Sequence, residues 1–200
     1  IAIAITGASG ALYATRTLAA LLERGVHVEL VISDYGKRLL FDELGERATV
    51  ERLIPYLTEK YGEGVAKGSI EIHSHKDLGA TIASGSHGCK GMAIVPCSMK
   101  TLAAVAHGLS RNLVERAADV MLKERRPLVI VPRETPMSLM QLRNMVLCAE
   151  AGAIMLPAMP AFYQMPKTLD DLADFMAGKI LSSLGFDHDL YPMWTGQVQK

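Results

Sequence analysis

The chain lacks an excess of charge of either sign. Its 21 basic residues balance its 21 acidic residues, so no strong field attracts nucleic acid or an anionic membrane surface. It also lacks an apolar run near the roughly 20 residues that span a bilayer, and no basic-then-apolar leader opens it. We therefore expect a cytoplasmic protein with a small-molecule partner, without nucleic acid and without a membrane.

Cysteine is scarce, and the few present are not arranged as a disulfide framework. Three cysteines, Cys89, Cys97 and Cys148, are odd in number and lie in apolar or glycine-rich surroundings, so we expect reduced thiols. The pairs His73-x-His75 and His87-x-Cys89 superficially resemble metal ligands. Neither pair forms part of a full metal-ligand cluster, however, so we expect no metal.

The opening residues, IAIAITGASGA, predict a strand, a tight turn and a helix. Residues 1–5 are all apolar, as in a strand buried on both faces. Gly7 and Gly10 allow the chain to turn sharply, and the exposed amides at the start of the next helix favour an anion. The spacing of these glycines is not that of the dinucleotide fingerprint. A nucleotide, a flavin, another phosphate ligand and an ordinary turn therefore all remain open.

Strand-like and helical segments alternate along the rest of the chain. Further strands are predicted at 27–33, 91–95, 128–131 and 153–156, with a short apolar segment at 70–72. Helices are predicted at 11–24, 34–44, 50–61, 112–125, 135–152 and 168–185, and another ends at 107. Thr135 is interpreted as an N-cap with Pro136 in the first helical position. The alternation predicts a single α/β domain over residues 1–200, with a doubly wound, mostly parallel sheet that is Rossmann-like or flavodoxin-like.

Polar side chains follow directly after the predicted strands. They are Ser9, Ser33, Ser98, Lys100, Thr101, Arg133, Glu134 and Tyr163. Open α/β sheets bind ligands at the carboxyl ends of their strands, so we expect a site along this edge.

Two cations share one predicted helix. Arg116 and Lys123 are seven residues apart, which places them on one face two turns apart. Such a pair can clamp a phosphate, although the spacing alone favours an ordinary solvated basic stripe. Glu134, at a predicted helix start, is either an acid/base group or part of a cap.

Six segments in order resemble the UbiX-like flavin prenyltransferases, a branch of the homo-oligomeric flavin-containing decarboxylase-like flavoproteins. They are GASGA at 7–11, PCSMKT at 96–101, RAADV at 116–120, LKERR at 122–126, PRETP at 132–136 and PAFY at 160–163. The resemblance covers nearly the whole chain. It implies an enzyme that joins a dimethylallyl group, usually from dimethylallyl monophosphate, to reduced FMN. It also implies no metal, a homo-oligomer with the family's usual dodecamer, and a UbiD-type decarboxylase as recipient of the prenylated FMN.

The resemblance also implies a role for individual residues. The FMN site would comprise Gly7, Ala8, Ser9, Ser33, Ser98, Met99, Lys100, Thr101 and Arg133. The prenyl phosphate would be bound by Tyr163, Lys179, Arg116 and Lys123, across a subunit boundary. Catalytic roles would fall to Ser9 and Glu134 as a proton relay, Glu43 as a further acid, the cations Arg116 and Lys123, and Trp194 as a shield for the allyl cation or a simple packing residue. The tail, 186–200, would pack on a neighbouring subunit.

The chain departs from the family pattern at Lys179, where the family usually has arginine. Lysine keeps the charge but loses the bidentate fork, which leaves the choice between a monophosphate and a diphosphate donor open. Two alternative functions remain beside the transferase. One is a non-catalytic FMN-binding accessory subunit of a decarboxylase. The other is a flavin-dependent cysteine decarboxylase, which would be expected to have asparagine within the loop at 98–100.

Overall fold

Six parallel strands form one sheet at the centre of the protein. The computed structural model describes residues 1–192. The strands are β1 (Ala2–Ile5), β2 (His27–Ile32), β3 (Ser69–Ser74), β4 (Met92–Cys97), β5 (Leu128–Pro132) and β6 (Ile154–Met155). The helices are α1 (Ala11–Glu23), α2 (Asp34–Leu44), α3 (Leu53–Tyr61), α4 (Met99–Ala106), α5 (Leu113–Lys123), α6 (Leu139–Glu150) and α7 (Leu169–Ser183).

The strand order is β3-β2-β1-β4-β5-β6, and every pair of neighbours is parallel. This is the order of the doubly wound Rossmann fold, which confirms the predicted fold class. The order reverses between β1 and β4, because the chain continues from β1 towards one edge and returns at β4 to build the other. A crevice at the carboxyl ends of these two strands is the general ligand position in such sheets.

Alternation along β1 divides the core into two layers. Ile3 and Ile5 belong to the cluster that also contains Leu18 of α1 and Phe175 of α7. Ala2 and Ala4 belong to the cluster on the opposite face, which helices α4, α5 and α6 help to form. A strand with both faces covered is apolar at every position. The five apolar residues at the start of the chain reflect this burial.

Helix α6 begins later than the sequence predicted. The Thr135 hydroxyl donates to the Glu134 carbonyl and caps nothing. The N-cap is Ser138, whose side chain accepts from the Gln141 amide while the Gln141 side chain accepts from the Ser138 amide. This reciprocal capping box satisfies two helix-terminal donors, so the helix starts there and the prediction of a Thr135 cap is wrong.

The last described residues fold back on their own chain. Tyr191 stacks on Phe175 of α7, with ring centroids 4.9 Å apart, and Arg24 donates to the carbonyl of Asp187. Trp194 lies outside the described residues, and packing of the tail on a neighbouring subunit stays a prediction. In the part of the chain from 1 to 192, no helix has the length and apolar character needed to cross a membrane.

Candidate active site

The carboxyl ends of β1 and β4 are tied together by one hydroxyl. The Thr6 Oγ1 donates to the Pro96 carbonyl at 2.9 Å and accepts from the Ser98 amide at 2.7 Å. Thr6 is almost completely buried, so both bonds form away from water. They fix the separation of the two loops on either side of the crevice, 7–10 after β1 and 98–101 after β4.

The turn after β1 packs closely against the start of α2. A Cβ atom at Gly7 would lie 2.4 Å from the Cβ of Tyr35, so a side chain at position 7 would displace that residue. Gly7 and Tyr35 line a cavity of about 240 Å³ together with Arg38 and Asp42. The glycine predicted to let a ligand approach is therefore also required by helix packing.

The anion position predicted at the start of α1 is taken by the chain's own Glu43. Its carboxylate accepts from the amides of Gly10 at 3.0 Å and Ala11 at 2.8 Å. These are two of the free amides at the helix start, where the macrodipole also favours negative charge. Burial raises the pKa of the neighbouring Tyr13, and the negative charge of Glu43 raises it further.

One cavity brings three predicted site residues together. Ser9, Glu43 and Arg133 line a cavity of about 280 Å³, with Tyr13 beside them and Leu169 and other apolar residues completing the wall. The Nε of Arg133 is buried, and no atom of residues 1–192 accepts a hydrogen bond from it. An arginine donor buried without an acceptor is costly, so Arg133 is a candidate for holding a ligand in this cavity.

The residue after Arg133 is a half-buried carboxylate. Glu134 accepts from the Thr135 amide at 3.1 Å. The same strand end is held to the next loop by the Ala158 amide, which donates to the Pro132 carbonyl at 3.0 Å. Glu134 therefore lies at the carboxyl edge of β5, as the strand-end argument predicted.

The predicted serine and threonine ligands of the other strands are helix caps. Ser33 accepts from the Gly36 amide at 3.0 Å and caps α2. Ser98 accepts from the Thr101 amide at 3.3 Å, donates to the Thr101 hydroxyl at 3.1 Å and caps α4. Met99 and the exposed Lys100 form the first turn of α4. These loops border the crevice, and their serine hydroxyls also cap the helices that follow.

Tyr163 and Lys179 meet at an aromatic ring that the sequence reading missed. The Tyr163 ring packs edge-on against Phe175, with centroids 6.1 Å apart. The Lys179 ammonium lies 5.6 Å from the centre of the same ring. Phe175 and Lys179 are four residues apart on α7, a spacing that puts two side chains on one helix face, and this was the signal available for Phe175.

Arg116 and Lys123 lie on a different part of the molecule. Arg116 donates from Nε to the Ala83 carbonyl at 3.0 Å and from Nη1 to Asp119 at 2.7 Å. The Lys123 ammonium lies beside Gly85. Neither residue is among those that line the cavity of Ser9 and Glu43 in the described chain. A single chain therefore does not bring these two cations to the other predicted site residues.

No group of three or more histidine, cysteine or acidic side chains within residues 1–192 is arranged to hold a metal ion. The three cysteines are buried and unbridged. Burial raises the pKa of Cys97, with the Cys148 thiol adding to the rise, and burial raises the pKa of Cys148 to about 11. Thiols held protonated in this way are poor nucleophiles.

Comparison with known proteins identifies the family. The family model described as "Flavoprotein" matches residues 1–181. Flavin prenyltransferase UbiX of Halalkalibacterium halodurans is 46% identical over 192 residues, which cover 96% of this chain and 91% of the relative. The chain belongs to the UbiX flavin prenyltransferases. The similarity extends over nearly the full length of this chain and of the relative.

Solved structures agree with this assignment. The crystal structure of AnUbiX (PadA1) in complex with FMN and dimethylallyl pyrophosphate has a TM-score of 0.86 at 36% identity, covering 98% of this chain and 97% of that one. A dodecameric FMN-dependent UbiX-like decarboxylase from Escherichia coli O157:H7 has a TM-score of 0.83 at 38% identity, covering 98% and 100%. These relatives favour neither the accessory-subunit nor the cysteine decarboxylase alternative.

Proposed function

We propose that this UbiX family member joins the dimethylallyl group of a dimethylallyl phosphate to reduced FMN and releases prenylated FMN. The observation that carries the proposal is the buried Arg133 Nε without an acceptor, in a cavity shared with Ser9 and Glu43. The proposal is supported by the AnUbiX structure, which holds FMN and dimethylallyl pyrophosphate.

The FMN site lies in the crevice between β1 and β4. The buried Nε of Arg133 fits a flavin because the ring system presents carbonyl oxygens and ring nitrogens as acceptors. The close packing of Gly7 on Tyr35 keeps the turn free of side chains. The residues that hold FMN in this proposal are Gly7, Ala8, Ser9, Ser33, Ser98, Met99, Lys100, Thr101 and Arg133.

When bound in its reduced form, FMN supplies the central-ring nitrogen and the neighbouring aromatic carbon to which the prenyl carbons are joined. The protein must assist departure of the phosphate, which gains negative charge as the allylic C–O bond breaks. Lys179, Arg116 and Lys123 neutralise that charge, and Tyr163 orients the phosphate. Two protons leave the flavin as the two bonds form: the prenyl double bond takes up the one from the ring nitrogen, and Glu134 and Ser9 carry the one from the aromatic carbon to the phosphate.

Glu43 has a defined place beside this proton path. Two amides at the start of α1 hold its carboxylate at the mouth of the cavity that Ser9 lines. An acid held by backbone donors keeps its position whether or not a substrate is present. We assign it the role of a further active-site acid that aligns the Ser9 loop.

The phosphate site combines two subunits in this proposal. Arg116 and Lys123 of one chain lie away from its own Ser9 cavity, so a neighbouring chain must supply them. The UbiX-like decarboxylase of Escherichia coli is dodecameric, and we propose the same assembly here, with the tail and Trp194 at a subunit contact. The protein would act in the cytoplasm and pass prenylated FMN to a UbiD-type decarboxylase.

The donor is either the monophosphate or the diphosphate. Lys179 presents a compact charge where the family usually has the arginine fork. Comparing the KM values of both donors for the wild type and for Lys179→Arg decides between them. If Lys179 binds the phosphate, the arginine variant binds the preferred donor at least as tightly.

The test of the function is an anaerobic incubation with reduced FMN and dimethylallyl monophosphate, followed by mass spectrometry of the extracted flavin. The expected result is a mass gain of one five-carbon prenyl unit, lost in Glu134→Gln and retained in Glu63→Gln. Glu63 is an exposed carboxylate away from the cavity, so it controls for removal of a charge. Tight FMN binding with unchanged mass for both the monophosphate and the diphosphate would overturn the proposal.

A further inference from the structure

A segment outside the Ser9 cavity connects the sheet to the cationic face of α5. Residues 81–88, here called the bridging segment, begin with a short 3-10 turn at Thr81–Ala83 and run to Gly88. The predicted elements did not account for this small-residue stretch. Its two sides make different contacts, one with a buried carboxylate of β2 and one with the cations of α5 and the residues that follow it.

On the sheet side, the bridging segment is held by Glu29. This carboxylate is 4% exposed, and it accepts from the Thr81 hydroxyl at 3.0 Å. The Nε2 atoms of His87 and of His73 on β3 also lie within hydrogen-bonding distance of it. Burial alone would raise the pKa of Glu29, and the bonds from His87, Thr81 and His73 outweigh that effect and lower it. Glu29 is therefore a buried anion, and its carboxylate oxygens hold Thr81 and His87 in place.

On the helix side, the bridging segment accepts from two guanidinium groups. Arg126 donates to the carbonyls of His87 and Gly85, both at 2.7 Å, and the Nε of Arg116 donates to the Ala83 carbonyl at 3.0 Å. The Lys123 ammonium is paired with Glu124 instead. The position of the segment therefore determines where the Arg116 side chain lies.

Arg116 is held at two of its three nitrogens. The Ala83 carbonyl fixes Nε and Asp119 fixes Nη1, which sets the plane of the guanidinium. Within residues 1–192, Nη2 has no hydrogen-bond partner, so it is available to an external oxygen anion. A cation held in place before binding loses less side-chain entropy when the ligand arrives.

We propose that Glu29, Thr81 and His87 are positioning residues for the donor phosphate, because they fix the bridging segment that orients Arg116. The inference rests on the proposed function, in which Arg116 binds that phosphate. None of the three positioning residues is assigned a contact with the substrate. Their effect passes through the carbonyl of Ala83 to Arg116.

The first test compares donor KM and kcat in His87→Ala with those of the wild type, at saturating reduced FMN. The donor KM is expected to rise roughly tenfold, since displaced positioning groups cost up to about a hundredfold, while FMN affinity stays unchanged. His87→Gln keeps an N–H donor on a flexible side chain and is expected to recover most of the loss. A merely structural role would lower the melting temperature without this selective change in donor KM or its recovery.

Two further variants keep the test decisive. Thr81→Val removes one hydroxyl at nearly constant volume, and it is expected to raise donor KM in the same direction even if His87→Ala fails to fold. His27→Ala is the matched control. His27 also lies on β2, but it is exposed and contacts Ser69 and Glu71, so its removal is expected to leave donor KM unchanged.

The closing experiment is a double-mutant comparison with Arg116→Ala. If the inference holds, Arg116→Ala raises donor KM and adding His87→Ala raises it little further, because both act through one group. If Arg116→Ala raises donor KM but His87→Ala and Thr81→Val leave it unchanged, the inference is wrong and the proposed function stands. If Arg116→Ala has no effect on donor KM, the phosphate role of Arg116 is wrong and the inference falls with it.

Discussion

Arg133 carries a buried donor without an acceptor. The residue lines the cavity of Ser9 and Glu43, and its Nε finds no acceptor within residues 1–192. A buried donor left in this state costs about 1–3 kcal/mol. If FMN binds there as proposed, an acceptor on the flavin recovers that energy and contributes to the FMN affinity.

Replacing Arg133 by lysine tests this account. Lysine keeps the positive charge but has no nitrogen at the position of Nε, so the expected loss is one charge-assisted hydrogen bond of about 1.5–3 kcal/mol. That corresponds to an FMN Kd about 10 to 100 times weaker, measured by quenching of flavin fluorescence. Arg143→Lys, at an exposed position of α6, is the control, and equal Kd values for the two variants would refute the account.

Glu29 makes the free energy of unfolding depend on pH. Its folded-state pKa lies below the ordinary glutamate value because bonds from His87, Thr81 and His73 outweigh the effect of burial. A carboxylate of this kind contributes stability above its unfolded pKa, and that contribution is lost as pH falls through the lower folded value. Urea unfolding at neutral pH is therefore expected to show Glu29→Gln less stable than the wild type, with the gap narrowing as pH falls below the ordinary glutamate pKa. The exposed Glu63→Gln should show no gap at any pH, and a Glu29→Gln gap that is constant with pH would contradict the assignment.

Among the elements, helix α2 approaches the sheet so closely that one position admits no side chain. A Cβ at Gly36 would lie 2.4 Å from the carbonyl oxygen of Ile5 and 3.1 Å from Cγ2 of Ile32. The helix is anchored there by Ser33, which caps it through the Gly36 amide. This contact places Tyr35 against Gly7, so the shape of the turn after β1 depends on the approach of α2.

Gly36→Ala is expected to destabilise the protein although alanine is the better helix former. The obstructing atom belongs to the backbone of a central strand and cannot rotate away, so the helix must shift. Overpacking of this kind costs about 1–3 kcal/mol, and each kcal/mol lowers the melting temperature by roughly 2–4 °C in a domain of this size. Gly88→Ala, where an added Cβ meets nothing within 4 Å, is the calorimetric control. If Gly36→Ala melts at the same temperature as Gly88→Ala, helix α2 shifts without measurable cost and the prediction is wrong.

The sequence predicted elements best where burial determines composition. Residues of β1 and β4 are apolar because both faces of the sheet are covered. The prediction for the start of α6 was wrong because Thr135-Pro136 and Ser138-x-x-Gln141 are both favourable sequences for a helix start. Local preference does not choose between two caps three residues apart, and the structure selects the one that closes a capping box.

The candidate site shows the same division between local and long-range information. Ser9 and Arg133 are predicted to lie along one edge of the sheet because both follow strands, and parallel strands end at one edge. The Glu43 carboxylate accepts from the Gly10 amide at the start of α1, 33 positions away in the sequence. No local pattern predicts such a contact. Glu43 was therefore named as a site residue only through the resemblance to the family. The Glu29 cluster gave no signal at all, because its members come from three separate segments.

At the scale of the whole molecule, one helix presents an apolar face that nothing in the described chain covers. Leu139, Met140 and Val146 of α6 are 61%, 63% and 55% exposed. Contiguous exposed apolar surface on a protein marks a contact with another molecule. The separation of Arg116 and Lys123 from the Ser9 cavity gives that contact a function, since the proposed phosphate site needs a second subunit.

A charge in this face therefore tests assembly and catalysis together. Val146→Glu would bury a carboxylate without a partner at the α6 contact, so the assembly is expected to dissociate, as measured by light scattering coupled to size-exclusion chromatography. If the residues proposed for FMN come from one chain, FMN binding should persist in the dissociated protein, whereas prenyl transfer should fall because no neighbour supplies Arg116 and Lys123. Ile54→Glu makes the same change at an exposed isoleucine of α3 and should leave both mass and activity intact. Dissociated Val146→Glu protein that still prenylates FMN at the wild-type rate would place the whole site within one chain.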